Sequence, residues 1–227
     1  MFESPFPEHV RFVAVNGATL GPEQPHAEEL AALGDRASPS RKRAFTHGRV
    51  AARKAMKGLL DDPPPVLPGH DRAPRWPEGV VGSITHAAGW GLAAADERSR
   101  TRALGLDFAC LSELPDTQIA RLVADADELQ WIAGDPRRLL AMFSAKESVY
   151  KALFPECRSF FGFHDAITRW SESPTPGFDV QLLRHLSPLW PTGASLRAAV
   201  CWSGEFVLTS VWLSAEEAHA QGPKSQL

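Results

Sequence analysis

The sequence is poor in cysteine and holds a single tyrosine among its 227 residues. Its three cysteines, Cys110, Cys157 and Cys201, are odd in number, far apart and without CxxC spacing. That pattern excludes a disulfide framework and a cysteine-based zinc site, and it makes a reducing compartment the expectation. Long apolar runs are missing too. Nowhere do about 18 uninterrupted apolar residues occur, the length a membrane-spanning helix needs. Residues 1–15 carry acids and prolines instead of a basic segment followed by an apolar run, so no leader peptide is expected. The expectation is a soluble, cytoplasmic protein with no membrane partner.

Acidic residues are absent from Arg36 to Leu60, a stretch with eight Lys or Arg. Net charge over the whole chain is −3, which argues against a protein that coats nucleic acid. The basic block therefore points to a local anionic partner. Hydrophobic residues make up 44% of the chain, enough for a sizeable core in one large domain or two small halves.

Ser38-Pro39-Ser40 reads as the start of a helix capped by Ser38 or Ser40 and running to about Leu60, before Asp61-Asp62-Pro63. Arg41, Phe45, Arg49 and Arg53 follow one another at i,i+4, so three guanidinium groups share one side. They form either a solvated basic face or an anion cradle, since Arg forks match phosphate oxygens in pairs. The lack of neighbouring carboxylates favours the cradle. Ahead of this helix, a strand around Val10–Val15 and a short helix near Ala27–Leu33 are expected.

A proline-rich connector over 63–79 leads to a short strand, Gly79–His86. Gly82 within it marks close approach to a ligand or to another chain segment. Ser83, Thr85 and His86 supply hydroxyl and imidazole donors beside it. Trp90–Asp96 and Ala103–Phe108 read as paired strands joined by the turn Glu97–Thr101. In the second of these, Leu104, Leu106 and Phe108 share one face. Asp107 lies on the other with Ala103 and Gly105, as a candidate metal ligand, buried acceptor or cap.

Residues 116–132 read as one helix, and a second spans about Arg137–Phe154. A strand near Phe178–Leu183 and a hairpin follow. Its arms alternate at Leu196–Trp202 and Phe206–Trp212 around Ser203-Gly204-Glu205. On the second helix Leu140, Phe143, Glu147, Tyr150 and Phe154 fall on one face. A glutamate on such a face requires a metal, a cation or a proton, and Lys151 lies one turn on. The plain alternative is a surface Glu–Lys pair worth a few tenths of a kcal/mol.

Gly82-Ser83-Ile84-Thr85-His86, then Leu104-Gly105-Leu106-Asp107, then Phe143-Ser144-Ala145-Lys146-Glu147-Ser148-Val149-Tyr150-Lys151 resemble the three signature motifs of 4′-phosphopantetheinyl transferases. The match is to the surfactin-type, enterobactin synthase component D-like branch. Phe45-x3-Arg49-x3-Arg53, Asp71-Arg72-Ala73-Pro74-x-Trp76-Pro77 and Phe161-Gly162-Phe163-x-Asp165-Ala166 are similar to further stretches of that family. The resemblance covers about Arg41 to Ile167.

It implies an α/β (α+β) pseudo-dimer of two similar half-domains, each a small antiparallel sheet packed with helices. Expected boundaries are 1–102 for the phosphoadenosine-binding half, 103–215 for the metal and catalytic half, and 216–227 for a flexible tail. The implied reaction moves 4′-phosphopantetheine from coenzyme A to a serine of an apo acyl or peptidyl carrier protein, releasing 3′,5′-ADP. Such chemistry serves siderophore, polyketide or nonribosomal peptide synthesis. By resemblance His86 contacts the 3′-phosphate, and Arg41 and Arg49 bind the phosphoadenosine end with Thr85 and Arg72. Asp107 and Glu147 hold Mg²⁺, with Mn²⁺ as the other candidate. Glu147 also assists deprotonation of the carrier serine, while Lys151 contacts the phosphates and assists the leaving group. A monomer that binds no nucleic acid is implied. One position departs: Ala109 stands where this branch has a second acid, so a CoA-binding homologue with impaired catalysis is the alternative.

Overall fold

Two antiparallel sheets carry the fold of the computed structural model, which describes residues 2–34, 36–114 and 117–216. β1 (Arg11–Asn16) leads into α1 (Ala27–Leu33) and α2 (Pro39–Met56). Ser38 caps α2 by accepting from the Arg41 amide at 3.2 Å, and Pro39 sits in the first turn, where its missing N–H costs nothing. The connector contributes two short paired strands, β2 (Leu67–Pro68) and β3 (Pro74–Arg75).

β4 (Val80–Ala87) and β5 (Trp90–Glu97) complete the first sheet in the order β1-β5-β4. The small residues Ala93, Ala94 and Ala95 of β5 are buried and let layers approach on both sides. One face packs against Val50, Ala51, Ala55 and Met56 of α2, while Leu92 and Ala94 meet the second sheet. Gly82 accommodates a neighbouring chain segment: a Cβ there would fall 2.5 Å from the Trp76 ring.

The second sheet begins with β6 (Thr101–Cys110). It continues with β7 (Ala166–Ser171), β8 (Gly177–Leu182), β9 (Ser195–Ser203) and β10 (Phe206–Ser214), in the order β6-β10-β9-β8-β7. The expected hairpin is β9–β10, in antiparallel register. β5 and β6 are consecutive but do not pair, contrary to expectation. β1 and β4 already occupy both edges of β5, so the chain crosses after Glu97 and β6 pairs with β10. Side chains stitch the sheets together instead. Ser83 Oγ accepts from the Leu106 amide at 3.0 Å, and Thr85 Oγ1 from the Phe108 amide at 3.1 Å.

The single helix expected over 116–132 is divided into α3 (Ala120–Val123) and α4 (Ala126–Ile132). Asp125 caps α4 by accepting from the Glu128 amide, and Glu128 accepts from the Asp125 amide, both at 2.9 Å. α5 (Pro136–Cys157) crosses the second sheet and buries Leu139, Leu140, Met142, Ala145, Val149 and Leu153. Full burial of one such leucine contributes about 2 kcal/mol. No helix among the described residues is long and apolar enough to cross a membrane. Of the tail expected at 216–227, all but Glu216 lies outside the described residues.

Candidate active site

Alternation along β6 sends Leu104, Leu106 and Phe108 toward the first sheet and leaves Asp107 facing α5. Gly105 makes that contact close: a Cβ would sit 1.9 Å from the Ser148 carbonyl oxygen, so α5 approaches this strand only over glycine. Asp107 Oδ2 accepts from Ser144 Oγ at 2.7 Å. Its Oδ1 accepts from Lys151 Nζ at 2.6 Å and from Thr85 Oγ1 at 3.2 Å. Thr209, opposite Asp107 in the β6–β10 register, donates to the Ser144 carbonyl at 2.8 Å. Its hydroxyl also lies 2.6 Å from Ser148 Oγ. Asp107 is thus fastened from β4, β10 and α5 together.

Glu147 is half-buried on α5, one turn before Lys151. Burial pushes its carboxyl above the usual range, nearby Asp107 adds to that, and Lys151 partly offsets it. The face on which Glu147 was expected to point into the core is divided. Leu140 is buried, whereas Phe143, Glu147, Tyr150 and Phe154 lie along a half-exposed flank. The α5 side chain that carries charge into the interior is Lys146, 4% exposed.

The flank borders a cavity of about 210 Å³ whose lining includes Glu147, Val149, Tyr150, Phe160, Phe161 and Phe163. Tyr150 packs on Phe154 and Phe161, with ring centroids 5.2 and 5.1 Å away. A larger cavity of about 870 Å³ lies elsewhere, near Trp131, Trp170 and Trp202, and none of the residues described above lines it. The Asp71–Arg158 ion pair, at 2.7 Å, ties the loop holding Arg72 to the end of α5.

His86 is solvent-accessible at the end of β4. Desolvation by the surrounding walls, then Lys151 and Arg41, hold its pKa below the ordinary histidine value, with Asp107 opposing. Arg41 is exposed and close enough to act on His86. The other two guanidinium groups of the i,i+4 row, Arg49 and Arg53, turn elsewhere. Arg49 is buried, 4.6 Å over the Phe45 ring and 3.8 Å from Glu29, and burial lowers its pKa. Arg53 donates to the Gln24 carbonyl. Arg72 is exposed with φ 65°, in the left-handed region. Thr85 is buried, and its hydroxyl is shared between Asp107 and the Phe108 amide.

Burial is the main cause of the rise in Glu147's pKa, and Asp107 is near enough to add to it. Two hard carboxylates held this way suit a hydrated Mg²⁺, which keeps several waters of its own. Ala109, two residues along the strand, contributes no side-chain oxygen. Among the described residues no set of three His, Cys, Asp or Glu converges as a metal cage.

The model of the 4′-phosphopantetheinyl transferase N-terminal domain matches residues 27–96, and that of the 4′-phosphopantetheinyl transferase superfamily matches residues 103–207. The chain belongs to the 4′-phosphopantetheinyl transferase superfamily. Over 133 residues it is 42% identical to 4′-phosphopantetheinyl transferase Svp of Streptomyces mobaraensis, covering 56% of this chain and 54% of that one. Over 145 residues it is 35% identical to 4′-phosphopantetheinyl transferase PptT of Mycobacterium tuberculosis, covering 61% and 62%. Enterobactin synthase component D of Salmonella typhi is 36% identical over 162 residues, covering 68% and 58%. The chain thus spans between about half and under two-thirds of these relatives' lengths.

Within this superfamily chain, sequence reasoning missed Thr209, which bears no motif and reaches Asp107's support only through strand pairing. Ser144 stood inside the third motif without an assigned role. Glu128 had a readable signal, the Asp125-x-x-Glu128 capping box.

Proposed function

We propose that this protein transfers 4′-phosphopantetheine from coenzyme A to a serine of an apo carrier protein, releasing 3′,5′-ADP. The observation that carries the reading is the meeting of Asp107, Lys151 and Glu147 at the seam between the two sheets, beside an apolar cavity. The names of its relatives, transferases and an enterobactin synthase component, point the same way.

In this reading His86 and Arg41 receive the 3′-phosphate, with Arg72 toward the phosphoadenosine end, while Arg49, buried against Glu29 and Phe45, supports the helix from behind. Thr85 serves by holding Asp107. The cavity under Tyr150 and Phe161 takes the pantetheine arm, whose methyl and methylene groups suit its aromatic lining. Asp107 and Glu147 would hold Mg²⁺, which when bound supplies charge neutralisation for the pyrophosphate. Glu147, with its raised pKa, accepts the serine proton directly or through water. The serine oxygen bonds to the phosphorus that bears the pantetheine arm, and the bond from that phosphorus to the bridging oxygen breaks. That oxygen leaves with 3′,5′-ADP, its charge met by the Lys151 ammonium. Positioning and charge compensation are the protein's main contributions to phosphoryl transfer.

Ala109 and the presence of two carboxylates favour a second reading, a CoA-binding homologue with impaired turnover. Incubation with CoA, Mg²⁺ and a panel of apo carrier proteins separates the two by mass spectrometry. A carrier heavier by one phosphopantetheine arm supports the transferase. CoA binding with no carrier modified supports the second reading.

A further inference from the structure

A buried ion pair beside Glu147 has no task in the transfer chemistry. Lys146 of α5 and Glu128 of α4 are both buried. Lys146 Nζ donates to Glu128 Oε2 at 2.7 Å, to the Val123 carbonyl at 2.8 Å and to the Phe163 carbonyl at 3.0 Å. An ammonium has three protons, and all are used. Glu128 Oε1 accepts from the Thr168 amide at 2.7 Å and from its hydroxyl at 2.8 Å. Oε2 also accepts from the Asp125 amide at 2.9 Å. The network ties the end of α3, α4, α5, the turn at Phe163 and β7 to one point.

Stability alone does not account for the pair. Apolar residues of similar volume in such a place are often as stabilising, because desolvating two charges offsets their attraction. Direction is what ionic hydrogen bonds add. The Phe163 carbonyl is held by the side chain adjacent in sequence to Glu147, and both Lys146 and Phe163 line the apolar cavity. Phe163 also packs on Phe143, with ring centroids 5.5 Å apart. We propose that Lys146 and Glu128 are positioning residues that hold the Phe163 wall of this cavity in register with Glu147, and so set how the arm of the substrate lies. This inference rests on the transferase reading above.

The test compares the double variant Glu128→Leu/Lys146→Met with the wild type, titrating CoA and 3′,5′-ADP by calorimetry. 3′,5′-ADP lacks the arm and the phosphate that bears it, so a change in the ratio of the two affinities between variant and wild type reports on how that part of CoA is held. That ratio is expected to fall about tenfold while 3′,5′-ADP binding holds. A purely structural pair shifts both ligands together, and a folded variant with the wild-type ratio overturns the proposal. Should the double variant fail to fold, Thr168→Val removes one bond to Glu128 and keeps both charges. The same ratio is then expected to drop about twofold, and an unchanged ratio overturns the proposal. Tyr150, the single tyrosine, reports on the cavity independently of ligand. In 3-fluorotyrosine-labelled protein its one fluorine resonance is expected to shift in whichever variant is folded. An unmoved resonance overturns the positioning role. Failure of the wild type to bind either ligand counts against the transferase reading and leaves the fluorine result to decide the positioning role.

Discussion

Lys151 Nζ and Asp107 Oδ1 lie 2.6 Å apart, joining α5 to β6. The ammonium meets one carboxylate directly, and Glu147, one turn earlier on α5, is the carboxylate pushed up by burial and by its neighbour. In the proposed mechanism the two acids take different tasks, an arrangement enzymes use when one carboxylate holds charge and another takes a proton.

Glu147→Gln keeps the shape and removes the base. Transfer to an apo carrier protein is expected to fall by about 100-fold or more, while CoA affinity changes by less than about threefold. Mass spectrometry of the carrier and calorimetry with CoA check the two halves. Near-normal turnover would remove Glu147 from both proposed roles.

Ala109 follows Asp107 by two residues on β6, so the two side chains share a face of the strand. Ala109→Glu is expected to lower the Mg²⁺ concentration needed for half-maximal activity. Identical Mg²⁺ titrations for the two proteins would sink the idea of a missing ligand.

His86 has its pKa lowered by desolvation, Lys151 and Arg41. A group depressed in the free site is mostly neutral near pH 7, whereas a bound 3′-phosphate favours its protonated form. CoA binding is therefore expected to couple to proton uptake, and the preference for CoA over dephospho-CoA should strengthen as pH falls from 8 toward the depressed pKa. In His86→Ala the pH dependence of that preference should flatten. A variant that discriminates as the wild type does at every pH refutes the assignment.

Gly105→Ala places a methyl 1.9 Å from the Ser148 carbonyl oxygen, which belongs to helix backbone and cannot rotate away. Destabilisation of about 2 kcal/mol or more is expected from denaturant unfolding, with activity lost as α5 shifts against Asp107. A variant as stable as wild type would show that α5 tolerates displacement here.

Much of the architecture was legible along the chain because its signals are local. Ser38 before Pro39 announced α2, alternation announced the β9–β10 hairpin, and Gly-Leu-Asp with Lys-Glu carried the motifs. Local signals failed where a partner distant in sequence decided the outcome. β5 and β6 looked like neighbours until β1 and β4 took both edges of β5. Arg41, Arg49 and Arg53 shared a helix side, yet Glu29 and the Gln24 carbonyl drew two of them away.

The sequence by itself determined the candidate residues, since three spaced motifs place Asp107, Glu147 and Lys151 on a strand and one helix turn. Tertiary structure alone decided how they are held. Thr209 stands across from Asp107 by strand pairing, Thr85 arrives from the other sheet, and Gly105 admits the helix. The physical reason is that hydrogen bonds close over a few ångströms of space between residues far apart in sequence, 44 positions for Asp107 and Lys151 and 65 for Ser144 and Thr209.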